Sequence, residues 1–190
     1  MRWILWILPI FAGGFILSCS EKGKAPSKGG TVTKEFSEKH QPTLTLEEAN
    51  KKLSEFFLYT GELSLKNGTA VLEIWNPLQA KTVSPSTILE GLYKTVKIYC
   101  DTNLKGSKLD LRVYYNLNGK KGLLFEAIGY RPVFCNAVTN GEKQQIPEAL
   151  KGAVLLNALR NTEIKVGNQK WFNEFCKDSR IKPFCHHLGF

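Results

Sequence analysis

The chain has 190 residues, 43% of them hydrophobic, with 26 Lys and Arg against 17 Asp and Glu for a formal net charge of +9. That is one domain's worth of sequence with enough apolar content for a real core. No Gly-rich phosphate loop, HExxH helix or GxSxG elbow occurs, which leaves the common phosphate-binding, zinc-hydrolase and serine-hydrolase classes without support.

At the N-terminus a single charge, Arg2, precedes an apolar run from Trp3 to Leu17 that closes with Ile16-Leu17-Ser18-Cys19. The run is short and weakly flanked for a permanent membrane span, which needs roughly 20 apolar residues. Residues 1–20 resemble the lipobox-type signal peptide of a bacterial lipoprotein. The resemblance implies a signal peptide at residues 1–18, a diacylglyceryl group on the Cys19 sulfur, cleavage before that residue and acylation of the new amine. Several acyl chains would hold the chain on a membrane, since each buried CH₂ contributes roughly 0.8 kcal/mol and one chain alone is marginal. Ser20 stands where an inner-membrane retention signal would place Asp, so the resemblance implies the periplasmic side of the outer membrane in a diderm envelope. An uncleaved anchor helix and a secretory signal cut elsewhere are the alternatives.

Residues 19–43 read as the acylated cysteine followed by a flexible basic tether. Lys22, Gly23, Lys24, Pro26, Lys28, Gly29 and Gly30 bury too little apolar surface to offset chain entropy. Residues 44–190 form the expected domain. Loss of Arg2 with the signal leaves a charge of +8, part of it concentrated between residues 81 and 121. There Lys81, Lys94, Lys97, Lys105, Lys108, Arg112, Lys120 and Lys121 meet Glu90, Asp101 and Asp110. A solvated face or attraction to anionic envelope material would explain the excess. No arginine-aromatic nucleic-acid motif accompanies it.

Thr45-Leu46-Glu47-Glu48 has the form of a capping box. Leu46, Ala49, Leu53, Phe56 and Phe57 then fall on one helical face, with Gly61 as the stop. Asn67-Gly68 marks a two-residue hairpin loop, because both positions need positive φ. The implied register sets Lys66 opposite Thr69, Leu65 opposite Ala70 and Leu63 opposite Leu72. Leu63, Leu65, Ala70, Leu72 and Ile74 share one face; Glu62, Ser64, Val71, Glu73 and Trp75 share the other. Ser84-Pro85-Ser86-Thr87 opens a second helix, with a capping box expected between Thr87 and Glu90 and a stripe of Ile88, Leu92, Val96 and Tyr99 or Cys100. Glu90 and Lys94 are spaced for an i,i+4 pair.

A second hairpin is expected from Leu109 to Tyr130. A three-residue loop, Leu117-Asn118-Gly119, sets Val113 opposite Leu123 and Leu111 opposite Phe125, gathering Leu109, Leu111, Val113, Leu123, Phe125 and Ala127 on one face. A helix from Pro147 to Arg160 and a short one around Gln169–Cys176 complete the chain. The expected architecture is α+β: a four-stranded antiparallel sheet from two hairpins, helices on one face, and further C-terminal helices.

Cys100, Cys135, Cys176 and Cys185 remain after Cys19, an even count that favours disulfides in an exported domain. Three pairings are open. Cys100–Cys135 and Cys176–Cys185 is preferred, the first joining neighbouring elements and the second closing a short loop. Cys176, Cys185, His186 and His187 lack a familiar zinc spacing, so no metal and no cofactor is expected. Trp75, Tyr114 and Tyr130 lie on strand faces opposite the main apolar set, joined by Val71, Leu124 and Ile128. The C-terminal helices or a partner must cover that second face. The leading expectation is a non-enzymatic envelope lipoprotein that binds a protein partner there. A lipid or small-molecule carrier with a cavity lined by Phe56, Leu92, Leu111 and Phe125 is the alternative, and an enzyme using His186 or His187 the third reading.

Overall fold

A computed structural model describes residues 43–76, 84–117 and 120–190. The lipobox, Cys19, nearly all of the tether and the Asn118-Gly119 loop tip lie outside these residues.

Helix α1 (Leu46–Ser54) begins with the expected capping box: the Thr45 hydroxyl accepts from the Glu48 amide, and Glu48 Oε2 accepts from the Thr45 amide at 2.8 Å. It buries Ala49 and Leu53. The helix is shorter than its apolar stripe suggests. Phe56 and Phe57 lie beyond it, and Phe57 is 75% exposed. Gly61 is not its stop. That glycine sits inside strand β1 (Thr60–Lys66) opposite Ile74, where a Cβ would stand 3.1 Å from the Glu73 carbonyl oxygen.

Strand β1 pairs with β2 (Thr69–Trp75) in the expected register, and Asn67 and Gly68 adopt φ of 50° and 78°. Helix α2 (Pro85–Cys100) follows, with Ser84 as N-cap. Thr87 is the third residue of the helix, so it cannot form the expected box with Glu90. Glu90 instead reaches Lys94 at 2.6 Å. Ile88, Leu92, Val96 and Tyr99 are buried, as the stripe implies.

Strands β3 (Lys108–Leu117) and β4 (Lys120–Tyr130) form the second hairpin with a different register. Leu117 pairs with Lys120 and Tyr114 with Leu123. A bulge then leaves Leu124 without a partner, and beyond it Val113 faces Phe125 and Leu111 faces Ala127. The odd residue that a longer loop was expected to take from β3 is taken from β4 within the strand instead, so the register beyond the bulge differs from the expected one by two residues while the same face of β3 stays inward. Leu109, Leu111, Val113, Phe125 and Ala127 reach the core together as expected, but Leu123 does not: it lies half-buried opposite Tyr114, and Leu124 takes its place in the core.

The sheet has five strands in the order β1-β2-β3-β4-β5, with β5 (Glu163–Val166) on the far edge. It is mixed rather than wholly antiparallel, because β2 and β3 run parallel. Helix α2 spans about 24 Å at 1.5 Å per residue. That returns the chain to the starting end of β2, so the next strand must run in the same direction. The α+β class and the one-sided helical layer stand; the four-stranded antiparallel sheet does not.

Helix α3 (Arg131–Glu142) was hidden by a weak apolar periodicity, and α4 (Glu148–Ala158) ends in a 3₁₀ turn at Leu159–Asn161. Helices α5 (Gln169–Phe175) and α6 (Lys182–His187) close the chain. Phe172, Phe175 and Phe184 gather around Phe125, with ring centroids 5.9 to 6.3 Å from it. Trp171 stacks on Tyr115 at 5.0 Å. Both disulfides have the preferred pairing, Cys100–Cys135 and Cys176–Cys185, with Cα separations of 5.5 and 5.8 Å.

Arg131 organises the junction of α2, β3 and α3. Its guanidinium donates to the carbonyls of Leu104 at 2.7 Å, Thr102 at 2.6 Å and Cys100 at 3.0 Å, and lies over the Tyr99 ring. Carbonyls that end a helix lack intrahelical donors, so one planar cation with several N–H groups serves them together. Arg131→Ala is expected to destabilise the oxidised protein by about 3 kcal/mol, and Arg131→Lys to restore less than half of that. Urea unfolding followed by circular dichroism measures both. Equal stability of all three proteins would show the carbonyls to be adequately hydrated without the guanidinium.

Candidate functional site

The helices pack on one face of the sheet. Asn50 of α1 caps the β1 edge, donating to the Leu63 carbonyl at 2.8 Å and accepting from the Leu63 amide at 2.7 Å. Phe134 of α3 lies against Gly129, and the phenylalanines of α5 and α6 lie against Phe125. Those sheet positions share the face of Leu109 and Val113. The C-terminal helices therefore deepen the first face and do not cover the second, for which they were one of the two expected covers. Among the described residues, no helix packs on the second face.

This open face is built by strand alternation. A row of opposed residues crosses all five strands: Glu62, Glu73, Arg112, Glu126 and Lys165. From Glu73 onward the signs alternate, an arrangement that stabilises neighbouring strands, whereas Glu62 opposite Glu73 is a like-charged pair. Arg112 is its centre. It donates to Asp110 at 2.6 and 3.2 Å and to Glu126 at 2.9 Å, and its Nη1 lies 3.6 Å from Glu73. The Asp110 hydrogen bond, followed by the two carboxylates' charge, raises the guanidinium above its ordinary pKa against the cost of burial. Val71 and Asp110 are buried in this face.

Trp75 and Tyr114 stand beside that row. They meet around Lys121, whose Nζ lies 3.8 Å from the Trp75 ring centre and 4.5 Å from that of Tyr114. Lys121 also comes within 3.8 Å of Glu73. The Tyr114 hydroxyl donates to Glu73 at 3.1 Å. Burial raises the Tyr114 phenol first, and the Glu73 hydrogen bond adds to it. The result is a preorganised patch with two aromatic rings, a cation between them and a carboxylate behind. Such rings lose little conformational freedom when they bind, and aromatic residues and arginine are enriched at binding hot spots.

Tyr130, the third expected contact residue, does not join them. It is 61% exposed, lies opposite Lys108 and has that residue's ammonium 5.5 Å from its ring centre. It stands seven residue steps along β4 from Leu123, the partner of Tyr114, or roughly 23 Å of strand. Leu124 also leaves the second face, because the bulge places it in the core. Ile128 remains there, opposite Asp110.

Lys121 and Arg112 were visible only as members of a basic stretch. That stretch is partly neutralised from outside itself. Lys94 pairs with Glu148 at 2.9 Å, Lys97 with Glu142, and Arg112 with Glu126. Strand parity could have placed Arg112 beside Tyr114; nothing local foretold the carboxylates opposite.

The remaining candidates are dispersed. Cys176 and Cys185 are consumed by their disulfide, and His186 and His187 are exposed at the end of α6. Among the described residues no group of three or more His, Cys, Asp or Glu side chains is arranged to hold a metal ion. Leu92, Leu111 and Phe125 are sealed in the core, whereas Phe56 lines a surface trough, so the four do not share one cavity. No described helix is long and apolar enough to cross a membrane.

No protein-family model matches the chain, and no characterised protein or solved structure is significantly similar to it.

Proposed function

We propose that this protein is a lipid-anchored envelope lipoprotein, acylated at Cys19, whose folded part acts as a non-enzymatic protein-binding or assembly module. The reading places it on the periplasmic side of the outer membrane. The observation that carries the binding role is the meeting of Trp75 and Tyr114 over Lys121, on a sheet face that no described helix covers. A face whose charges are already paired around Arg112 offers a partner a flat, preorganised surface with little electrostatic frustration. Tyr130 lies too far away for the same small contact and would belong to its rim.

Two measurements test the reading. Intact mass of the membrane-extracted protein, before and after reduction, reports the acyl groups on Cys19 and the state of both disulfides. A mass without fatty acid removes the anchor. A photoreactive phenylalanine at position 114, activated in intact cells, is expected to capture one reproducible envelope protein. Trp75→Ala is then expected to weaken that complex about tenfold or more, the effect of losing a central aromatic anchor. Absence of a reproducible adduct, or an adduct indifferent to Trp75→Ala, would remove the open face as the contact surface.

A further inference from the structure

On the helical side, away from the open sheet face, a trough of about 310 Å³ runs between the Phe56–Tyr59 segment and the first half of α2. Its walls include Phe57 and Leu58, 75% and 48% exposed, the largest adjacent pair of exposed apolar side chains described. Tyr59 forms one wall against α2. Its ring lies so close to Gly91 that a Cβ there would stand 2.4 Å from it. That wall of the trough is therefore held by a close contact with the helix.

Phe56 and Lys94 also line a neighbouring groove of about 490 Å³, so the two lie side by side. The second groove carries four ammonium groups, of Lys52, Lys94, Lys97 and Lys151, against three carboxylates, of Asp101, Glu142 and Glu148. Lys94 is held by Glu90 and Glu148, and Lys97 by Glu142. Lys52 and Lys151 have no carboxylate partner within ion-pair distance among the described residues; Lys151 lies over the Tyr93 ring instead. An apolar concavity thus adjoins a groove that holds two lysines without an ion-pair partner among the described residues.

We infer that this composite groove binds a single-chain amphiphile with an anionic headgroup, of the long-chain fatty acid class. The tail lies in the trough beside Phe57 and Leu58, and the headgroup sits in the second groove near Lys52 and Lys151. Ligand sites are concave and mostly apolar, with a few polar groups that fix orientation, and a volume near 300 Å³ suits a small ligand or one alkyl chain. The excess of ammonium over carboxylate in the second groove selects the sign of the headgroup. The site is independent of the surface assigned above to a protein partner.

The test uses the full chain reconstituted in phosphatidylcholine vesicles and two photoreactive probes, a diazirine-bearing palmitic acid and its neutral alcohol analogue. After illumination, peptide mass spectrometry locates the adducts. The acid is expected to label the peptides carrying Phe57 and Leu58 at least about fivefold more than those carrying the exposed Leu65 and Tyr130. Changing Lys52→Glu and Lys151→Glu together is expected to cut acid labelling about tenfold while the alcohol still labels the trough, which shows that the trough is intact. Acid labelling spread over Leu65 and Tyr130 in proportion to exposure would overturn the site. So would labelling of Phe57 and Leu58 that is equal for both probes and indifferent to the lysines, the signature of insertion into the bilayer.

Discussion

Gly152→Val is expected to destabilise the protein by at least about 4 kcal/mol, and so to lower its melting temperature by roughly 8–16 °C. Gly152 is buried in α4 where that helix crosses α2. A Cβ on it would lie 1.9 Å from the Leu89 carbonyl oxygen and 2.5 Å from the Leu89 carbonyl carbon. Those are backbone atoms of a packed helix, so no side-chain rotation relieves the overlap. The two helices must separate, exposing Leu89, Leu155 and Leu156, all of which are now fully buried. Gly141, inside α3, supplies the comparison. A Cβ there would make ordinary contacts, 3.4 Å from Lys151 Cβ and 3.5 Å from Tyr93. Gly141→Ala should therefore be neutral or stabilising by up to about 1 kcal/mol, because alanine has less conformational freedom to lose on forming a helix. Thermal unfolding of the two variants with both disulfides intact is the measurement. A Gly152→Val protein as stable as the parent would mean that α2 and α4 do not cross this closely.

Replacing Cys100 and Cys135 together by serine is expected to cost about 4 kcal/mol, and replacing Cys176 and Cys185 about 3 kcal/mol. The difference follows from the sequence separations, 35 and 9 residues, since the longer loop loses more freedom in the unfolded chain. Location works in the same direction. Cys100 ends α2 and Cys135 lies in α3, beside the carbonyls that Arg131 gathers. The second bond joins α5 to α6, whose phenylalanines already pack on Phe125. Urea unfolding of the two double variants gives the comparison. A larger loss from the Cys176–Cys185 pair would show that native-state packing, rather than chain entropy, sets the value of these bonds.

The parts of the fold legible in the sequence are those whose causes lie within a few residues. Thr45 and Glu48 stand three apart and cap α1 directly. Asn67-Gly68 supplies the positive φ values of its turn, and the alternation on either side admits only one register. The second hairpin carried the same local signal together with a misleading one. Its hydrophobic pattern requires one extra residue between the strands, and a pattern does not say where that residue goes. The chain places it at Leu124, where its side chain enters the core. Helix α3 was hidden for a different reason. Pro132, Asn136, Thr139, Asn140 and Gly141 weaken its apolar periodicity, and it is held by Arg131, Cys135 and Phe134 through residues distant in sequence.

The candidate site divides the same way. Period-two alternation puts Trp75 and Tyr114 opposite the core, and the structure has them there. Their meeting depends on which strands are neighbours. An antiparallel pairing of β2 with β3 would have reversed the order of residues along that boundary, whereas the parallel pairing sets Glu73 beside Arg112 and Trp75 near Tyr114.

Composition, charge and short-range spacing by themselves made legible the α+β class, the starts of α1, α2, α4 and α5, the first register, the preferred cysteine pairing and the sidedness of β1, β2 and β3. Tertiary structure alone decided the parallel pairing of β2 and β3, the fifth strand, the bulge, the crossing at Gly152, the carbonyl cluster around Arg131 and the partial neutralisation of the basic stretch. The reason is physical: caps, turns and alternation are satisfied by groups that the chain carries beside them. A carbonyl's donor, a lysine's counter-ion or the space for a Cβ is set by whatever segment folding brings opposite, and that depends on the path of the whole chain.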